Sequence, residues 1–161
     1  MRTLLSFLKG VEWLIIVLLA GYMLVILFPR VLIDKQEGIK EAKRLGQYQK
    51  VDLPAQTYYG KRFWIDGVSY VNQELEIFVS GMGSGSNGKI PHTLIVKTDK
   101  GVELQWIGGD GSSDDVWMSR GSYRFSDVPS DVKEIIVHQY GDYPNGDTFS
   151  FRIPLEEGVR P

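Results

Sequence analysis

The chain contains no cysteine. That excludes disulfides, thiolate nucleophiles, lipid attachment through sulfur and every cysteine-based metal site. Histidine is nearly as scarce, with only His92 and His138 present. Neither accompanies a Gly-x-Ser-x-Gly turn that could carry a serine nucleophile, so a Ser-His-Asp site has no local support. Each falls in or beside a strand-like run, His138 on its surface and His92 at a loop edge. No residue stands out as catalytic, cofactor-binding or metal-ligating.

Positive charge is short in most of the chain. Residues 51–161 hold ten Lys/Arg against sixteen Asp/Glu, a net −6, whereas the first fifty hold eight against four, a net +4. A net-acidic portion repels phosphate backbones, which argues against nucleic acid as a partner. With 161 residues there is room for one ordinary domain and an appended element.

That element is plain in the sequence. Val11 to Phe28 is almost continuously apolar, and Val31, Leu32 and Ile33 extend the run past Pro29. At 1.5 Å per residue, a helix over 11–33 covers roughly the 30 Å thickness of a bilayer's hydrocarbon. Glu12 and Trp13 lie at one end and Arg30 at the other, where headgroups receive them. The run exceeds a signal-peptide core, and Leu27-Phe28-Pro29-Arg30 is a poor cleavage sequence, so an uncleaved signal-anchor is expected. Residues 1–10 are then a short N-terminal tail.

Orientation draws on opposed signals. Arg2, Lys9 and the α-amine precede the helix, and Arg30, Lys35, Lys40, Lys43 and Arg44 follow it. Taken literally, the positive-inside rule keeps the large domain in the cytoplasm, where it could dock on a membrane enzyme. Long translocated domains weaken such counts, and the signal-anchor character of the N-terminus favours an extracytoplasmic domain.

Residues 34–50 are charged and, glycines apart, helix-favouring. Ile39, Ala42 and Leu45 recur every three residues, which predicts a juxtamembrane helix or stalk whose basic residues could rest on anionic headgroups. From residue 51 to 161 the apolar period changes to two. Leu75, Ile77 and Val79 share one side of a strand, as do Val102, Leu104 and Trp106, and Phe149, Phe151 and Ile153. Further strands are predicted over 58–65, 93–98, 116–125 with a bend at Gly121, and 132–140. Asp66-Gly67 has a two-residue hairpin signature, Asp99-Lys100-Gly101 separates two strands, and Pro144-Asn145-Gly146-Asp147 precedes the last. Residues 58–72 are therefore either a hairpin or a long bent edge strand. About seven strands in about 100 residues predict an all-β, immunoglobulin-like antiparallel β-sandwich preceded by one transmembrane α-helix.

Two local patterns invite a functional reading. Gly83 to Lys89 has the Gly-x-x-x-x-Gly-Lys spacing of a phosphate-binding loop, but Ile90-Pro91 follows where Ser or Thr and a helix should. A loop between strands accounts for it. Asp110, Asp114 and Asp115, and again Asp142, Asn145 and Asp147, form oxygen-rich loops without the alternating spacing of a calcium loop. Turn chemistry explains the same composition. Aromatic residues are dense at Tyr58, Tyr59, Phe63, Trp64 and Tyr70, and recur at Trp106, Trp117, Tyr123, Tyr140 and Tyr143. Alternation sends neighbours to opposite faces, so some are exposed and suit a protein or glycan partner.

The stretch Tyr123 to Val137, with its Asp127-Val128-Pro129-Ser130-Asp131 corner, and the final run Asp147 to Leu155 resemble the C-terminal immunoglobulin-like ectodomain of Bacillus-type single-pass membrane proteins. Some of those resemble membrane anti-sigma factors. The resemblance implies an extracytoplasmic sandwich in a Gram-positive bacterium. Sigma sequestration is not implied, because about ten residues precede the membrane run here.

The sequence thus predicts a non-enzymatic, single-pass protein of the cell membrane whose extracytoplasmic domain binds or senses a protein or cell-envelope component. Its partners are the lipid bilayer and a protein at the membrane, with no cofactor. The alternative is a membrane-tethered hydrolase or calcium-dependent module using the Asp110–Asp115 loop.

Overall fold

A computed structural model describes residues 2–27, 37–84, 89–112, 117–139 and 148–156. The chain divides into two compact units, Met1–Ile33 and Asp34–Pro161. The first contains helix α1, Arg2–Leu27. It begins well before Val11, so the residues expected to form a tail are helical. At 26 residues it is roughly 39 Å long. The apolar side chains described in it, between Val11 and Met23, are open on every side, with Trp13 67%, Leu18 65% and Tyr22 64% exposed. Among the described residues no helix is long and apolar enough to cross a membrane. The side chains described in α1 are those of residues 9–23, fewer than the about 20 a crossing takes.

The second unit is mostly antiparallel β. After helix α2, Glu37–Arg44, come β1 (Tyr48–Lys50), β2 (Gln56–Tyr58), β3 (Lys61–Val71), β4 (Glu74–Met82), β5 (Leu94–Thr98), β6 (Gln105–Ser112), β7 (Met118–Ser126), β8 (Glu134–Gln139) and β9 (Ser150–Pro154). The larger sheet has the order β1-β3-β4-β7-β6, with β2 also on β3; the smaller is β5-β8-β9. Residues of both build one core, including Phe63, Ile65, Leu75, Ile77, Val79 and Phe125 from the larger sheet and Val96, Ile135, Val137, Phe151 and Ile153 from the smaller. Burying this apolar surface is the main drive for folding.

The stalk segment belongs to this unit rather than standing apart from it. Ala42 is 6% exposed, and a Cβ on Gly38 would lie 2.9 Å from the Phe78 ring. Phe78 alternates with the core residues of β4, so it points away from the core; yet it is 1% exposed, because α2 and Tyr48 cover it. Leu45, expected on the apolar side, is 51% exposed, since α2 ends at Arg44 and Gly46 turns left-handed at φ 71°.

Three expectations about strands need correction. Of the two readings of residues 58–72 the long strand is the one found: β3 runs through Asp66-Gly67 without a hairpin turn, but as an interior strand and not an edge one, and its register against β4 slips between Ile65 and Gly67. One extra residue makes a β-bulge, which exchanges the inward parity from Phe63 and Ile65 to Val68 and Tyr70. The reversal comes instead at Asn72-Gln73, both left-handed (φ 51° and 66°), as are Tyr59-Gly60 between β2 and β3 (49° and 71°). These are the signs of type I′ hairpins. Gly121 does not interrupt β7, whose pairing continues through it on both sides. A Cβ there would lie 2.8 Å from Ile90 Cδ1, so the glycine serves a close approach. Of Val102, Leu104 and Trp106, only Leu104 is buried. The chain changes sheets here, with Glu103 bridged to Lys97 of β5 and Gln105 onward paired to β7, so a single face does not persist.

Two glutamines tie the β1/β2 flank to β9. Gln49 donates through Nε2 to the Pro154 carbonyl at 2.6 Å and accepts the Glu156 N–H at 3.1 Å. Gln56 does the same with Ser150, donating to its carbonyl and accepting its N–H at 2.5 and 3.0 Å.

Candidate functional site

The bulge carries a charge to the far side of the larger sheet. Asp66 is the residue that the slipped register leaves without an opposite on β4. Its Oδ1 accepts the Trp64 indole N–H at 3.0 Å and its Oδ2 accepts the Ser80 hydroxyl at 2.6 Å. Its backbone carbonyl accepts the Tyr48 hydroxyl at 2.7 Å and the Val51 N–H at 3.3 Å. These bonds hold β1, β3 and β4 around one residue, and side chains of α2 and β7 line the space beside it.

These elements enclose a cleft of about 270 Å³ lined by Ile39, Lys43, Tyr48, Lys50, Asp66, Ser80, Met118 and Arg120. Tyr48 reaches its place because position 67 lacks a side chain; a Cβ on Gly67 would fall 2.4 Å from the phenol ring. Lys43 lies over that ring, Nζ 4.8 Å from its centroid, a cation–π contact. Arg120 and Ser80 sit opposite each other on β7 and β4.

Burial pushes the Asp66 carboxyl above the usual carboxylate range, against the opposing pull of its hydrogen bonds from Ser80 and Trp64 and of the Arg120 charge. Burial and the Asp66 charge raise the Tyr48 hydroxyl. Ser80 is 2% exposed, so its hydroxyl is a strut for the carboxylate and not a reachable nucleophile. The arrangement offers charged and hydrogen-bonding groups to a ligand.

The raised Asp66 value has a testable consequence. A carboxyl with a higher pKa folded than unfolded holds more protons in the native state. Stability then falls as pH climbs from the ordinary carboxylate range through the raised value, and is level above it. Asp66→Asn keeps an acceptor for Trp64 and a donor for Ser80 while removing the charge. Thermal unfolding across acidic to neutral pH should show the native protein losing melting temperature relative to Asp66→Asn over that window. Parallel curves for the two would refute the buried-carboxylate description.

The cleft was not legible as a site in the sequence. Its residues are spread from position 39 to 120, and the one local signal, the phase jump across Asp66-Gly67, also marks a turn. The residues weighed from sequence lie elsewhere. Asp110 is exposed on β6, while 113–116 and 140–147 lie outside the described residues, taking with them Asp114, Asp115, Asp142, Asn145 and Asp147. Among the described residues no group of three or more possible metal ligands occurs. Lys89, which ends the phosphate-loop-like spacing, is 4% exposed, and the described residues that follow it lead into β5 without a helix. His92 is exposed. His138 lies on β8 beside Ile95, its pKa lowered by partial burial and then by Lys97 and Arg152. Among the aromatics, alternation holds: Tyr58 and Phe63 are buried, Tyr59 is 47% exposed and Trp64 is half-buried, while Trp106 and Trp117 are exposed. Comparison with known proteins identifies no matching family model, no matching curated protein and no matching solved structure.

Proposed function

We propose that the chain is a non-enzymatic, single-pass membrane protein whose extracytoplasmic, immunoglobulin-like domain binds or senses a protein or envelope component. The observation that carries this is α1: a helix with Leu14, Val17, Leu18, Leu19 and Met23 all more than half exposed, in a unit separate from the β domain. Apolar residues on every face have no stable place in water, and a bilayer accepts them. The strand order supports the domain type. Reading β3-β4-β7-β6 as A-B-E-D and β5-β8-β9 as C-F-G reproduces the two sheets of a constant-type immunoglobulin domain, with β1 and β2 added beside the first strand. The cleft, rich in charge and poor in reachable nucleophiles, supports binding over catalysis.

Two measurements on cells expressing the full chain test the reading. The protein should stay with the membrane pellet after alkaline carbonate extraction, and a C-terminal tag should be lost when intact cells are shaved with protease. Recovery in the soluble fraction would sink the anchor. Retention with a protected tag would place the domain in the cytoplasm.

A further inference from the structure

We propose that the cleft between α2, β1 and the outward side of the larger sheet binds a phosphate ester that also carries a hydrogen-bond donor, such as a hydroxylated phosphate headgroup or the equivalent free ester. This rests on the binding-domain reading above and names the ligand of its site.

Charge is the first argument. The unit Asp34–Pro161 holds fifteen Lys/Arg against nineteen Asp/Glu, a net −4, yet the cleft gathers Lys43, Lys50 and Arg120 from three different elements against the single carboxylate of Asp66. The local sign is opposite to that of the surrounding domain. Arginine and lysine together are the usual means of holding phosphate oxygens, the first through its paired N–H groups and the second as a point charge.

The carboxylate supplies the second argument. Each Asp66 oxygen has one fixed donor, from Trp64 or Ser80, and a carboxylate oxygen can accept more than one hydrogen bond. A bare anion gains from the cations but is repelled by Asp66. An ester with a hydroxyl or ammonium group satisfies both. Size and surroundings agree: about 270 Å³ lies just under the roughly 300–1,000 Å³ of small-molecule sites, suited to a headgroup-sized molecule. Ile39, Met118 and the Tyr48 ring form apolar walls that lower the local dielectric and strengthen each polar contact.

Calorimetry on the full chain in detergent micelles at low ionic strength tests this, with glycerol phosphate and inorganic phosphate as probes. Glycerol phosphate should bind saturably and more tightly than inorganic phosphate. Lys50→Gln should weaken it by about tenfold with the melting temperature unchanged, and Arg120→Gln by a similar factor. Lys133→Gln, an exposed cation remote from the cleft lining, should bind as the native chain does. Absence of saturable heat from either probe overturns the proposal, as does an equal loss in Lys133→Gln. If Arg120→Gln unfolds, the exposed Lys50→Gln carries the test alone.

Nanodiscs separate the two sources. Weaker glycerol phosphate binding in discs containing phosphatidylglycerol than in pure phosphatidylcholine would assign the site to a headgroup of the same membrane, and equal binding would assign it to a free ester. A chain that resists carbonate extraction but binds neither probe sinks only the cleft proposal and leaves the membrane reading standing.

Discussion

Truncating Phe63 to alanine should lower the unfolding free energy by about 3–5 kcal/mol. Phe63 is fully buried, with the Phe149, Phe151 and Tyr58 rings at centroid distances of 4.7, 5.7 and 6.1 Å. It lies on β3 of the larger sheet while Phe151 lies on β9 of the smaller. The ring therefore fills the seam between two layers whose backbones are each fixed by their own ladders, and the hole left behind has little means of closing. Domains of this size have total stabilities of about 5–15 kcal/mol, so much of the margin would go. Thermal denaturation should show a fall of roughly 10–20 °C. Trp106→Ala, at a residue 47% exposed, is the matched control and should shift stability by less than about 0.5 kcal/mol. A Phe63→Ala loss no larger than the control's would mean that the rings do not form the seam.

Gly81→Ala is the second large effect, expected at about 3 kcal/mol or more. Gly81 is on β4 between Phe63 of β3 and Ser119 of β7. A Cβ there would stand 2.0 Å from the carbonyl oxygen of Lys89 and 2.6 Å from its carbon. Those are backbone atoms, so no side-chain rotation relieves the overlap. Either the chain at Lys89 lifts away, exposing a residue now 4% accessible, or β4 leaves its register. Gly111→Ala provides the contrast, since its nearest neighbour would be Ile90 Cδ1 at an ordinary 3.5 Å. Chemical denaturation of both should separate them clearly. Equal stabilities would show that residue 89 does not lie over β4 as described.

Much of the β architecture could be read from alternation, because a strand with one dry side writes its geometry into every second residue. Leu75, Ile77 and Val79, and Phe149, Phe151 and Ile153, are buried as that spacing requires. The misreadings fall where the period changes phase. Phe63 and Ile65 are followed by Val68 and Tyr70, and a jump of this kind arises equally from a turn or from one inserted residue. Asp-Gly therefore left a turn and a long bent strand equally open; the true reversal at Asn72-Gln73 has a weaker signature because Gln rarely adopts the left-handed region. Val102 and Trp106 failed for a different reason. Alternation assumes one sheet, and the chain passes from one to the other between Glu103 and Gln105.

The cleft lay beyond such reasoning altogether. Local spacing cannot show that Lys43, Asp66 and Arg120 meet, since what brings them together is α2 folding onto the outward side of the sheet. A charged, glycine-bearing segment reads as a spacer, and its anchoring contacts with Phe78 involve a residue whose parity points it away from the core. That Phe78 is apolar and yet on the wet side of its strand was the available hint that something covers it.

The paired amides of Gln49 and Gln56 bear on how copies of this molecule behave towards one another. Bare main-chain groups along a terminal strand are adhesive, and recruit any passing extended peptide. Ser150, Pro154 and Glu156 share the parity that turns away from β8, and at each of them a glutamine head mimics the missing neighbour by giving a proton, taking one, or both. That rim offers an intruding chain only a broken foothold, so aggregation through β9 is discouraged without a further strand having to be built.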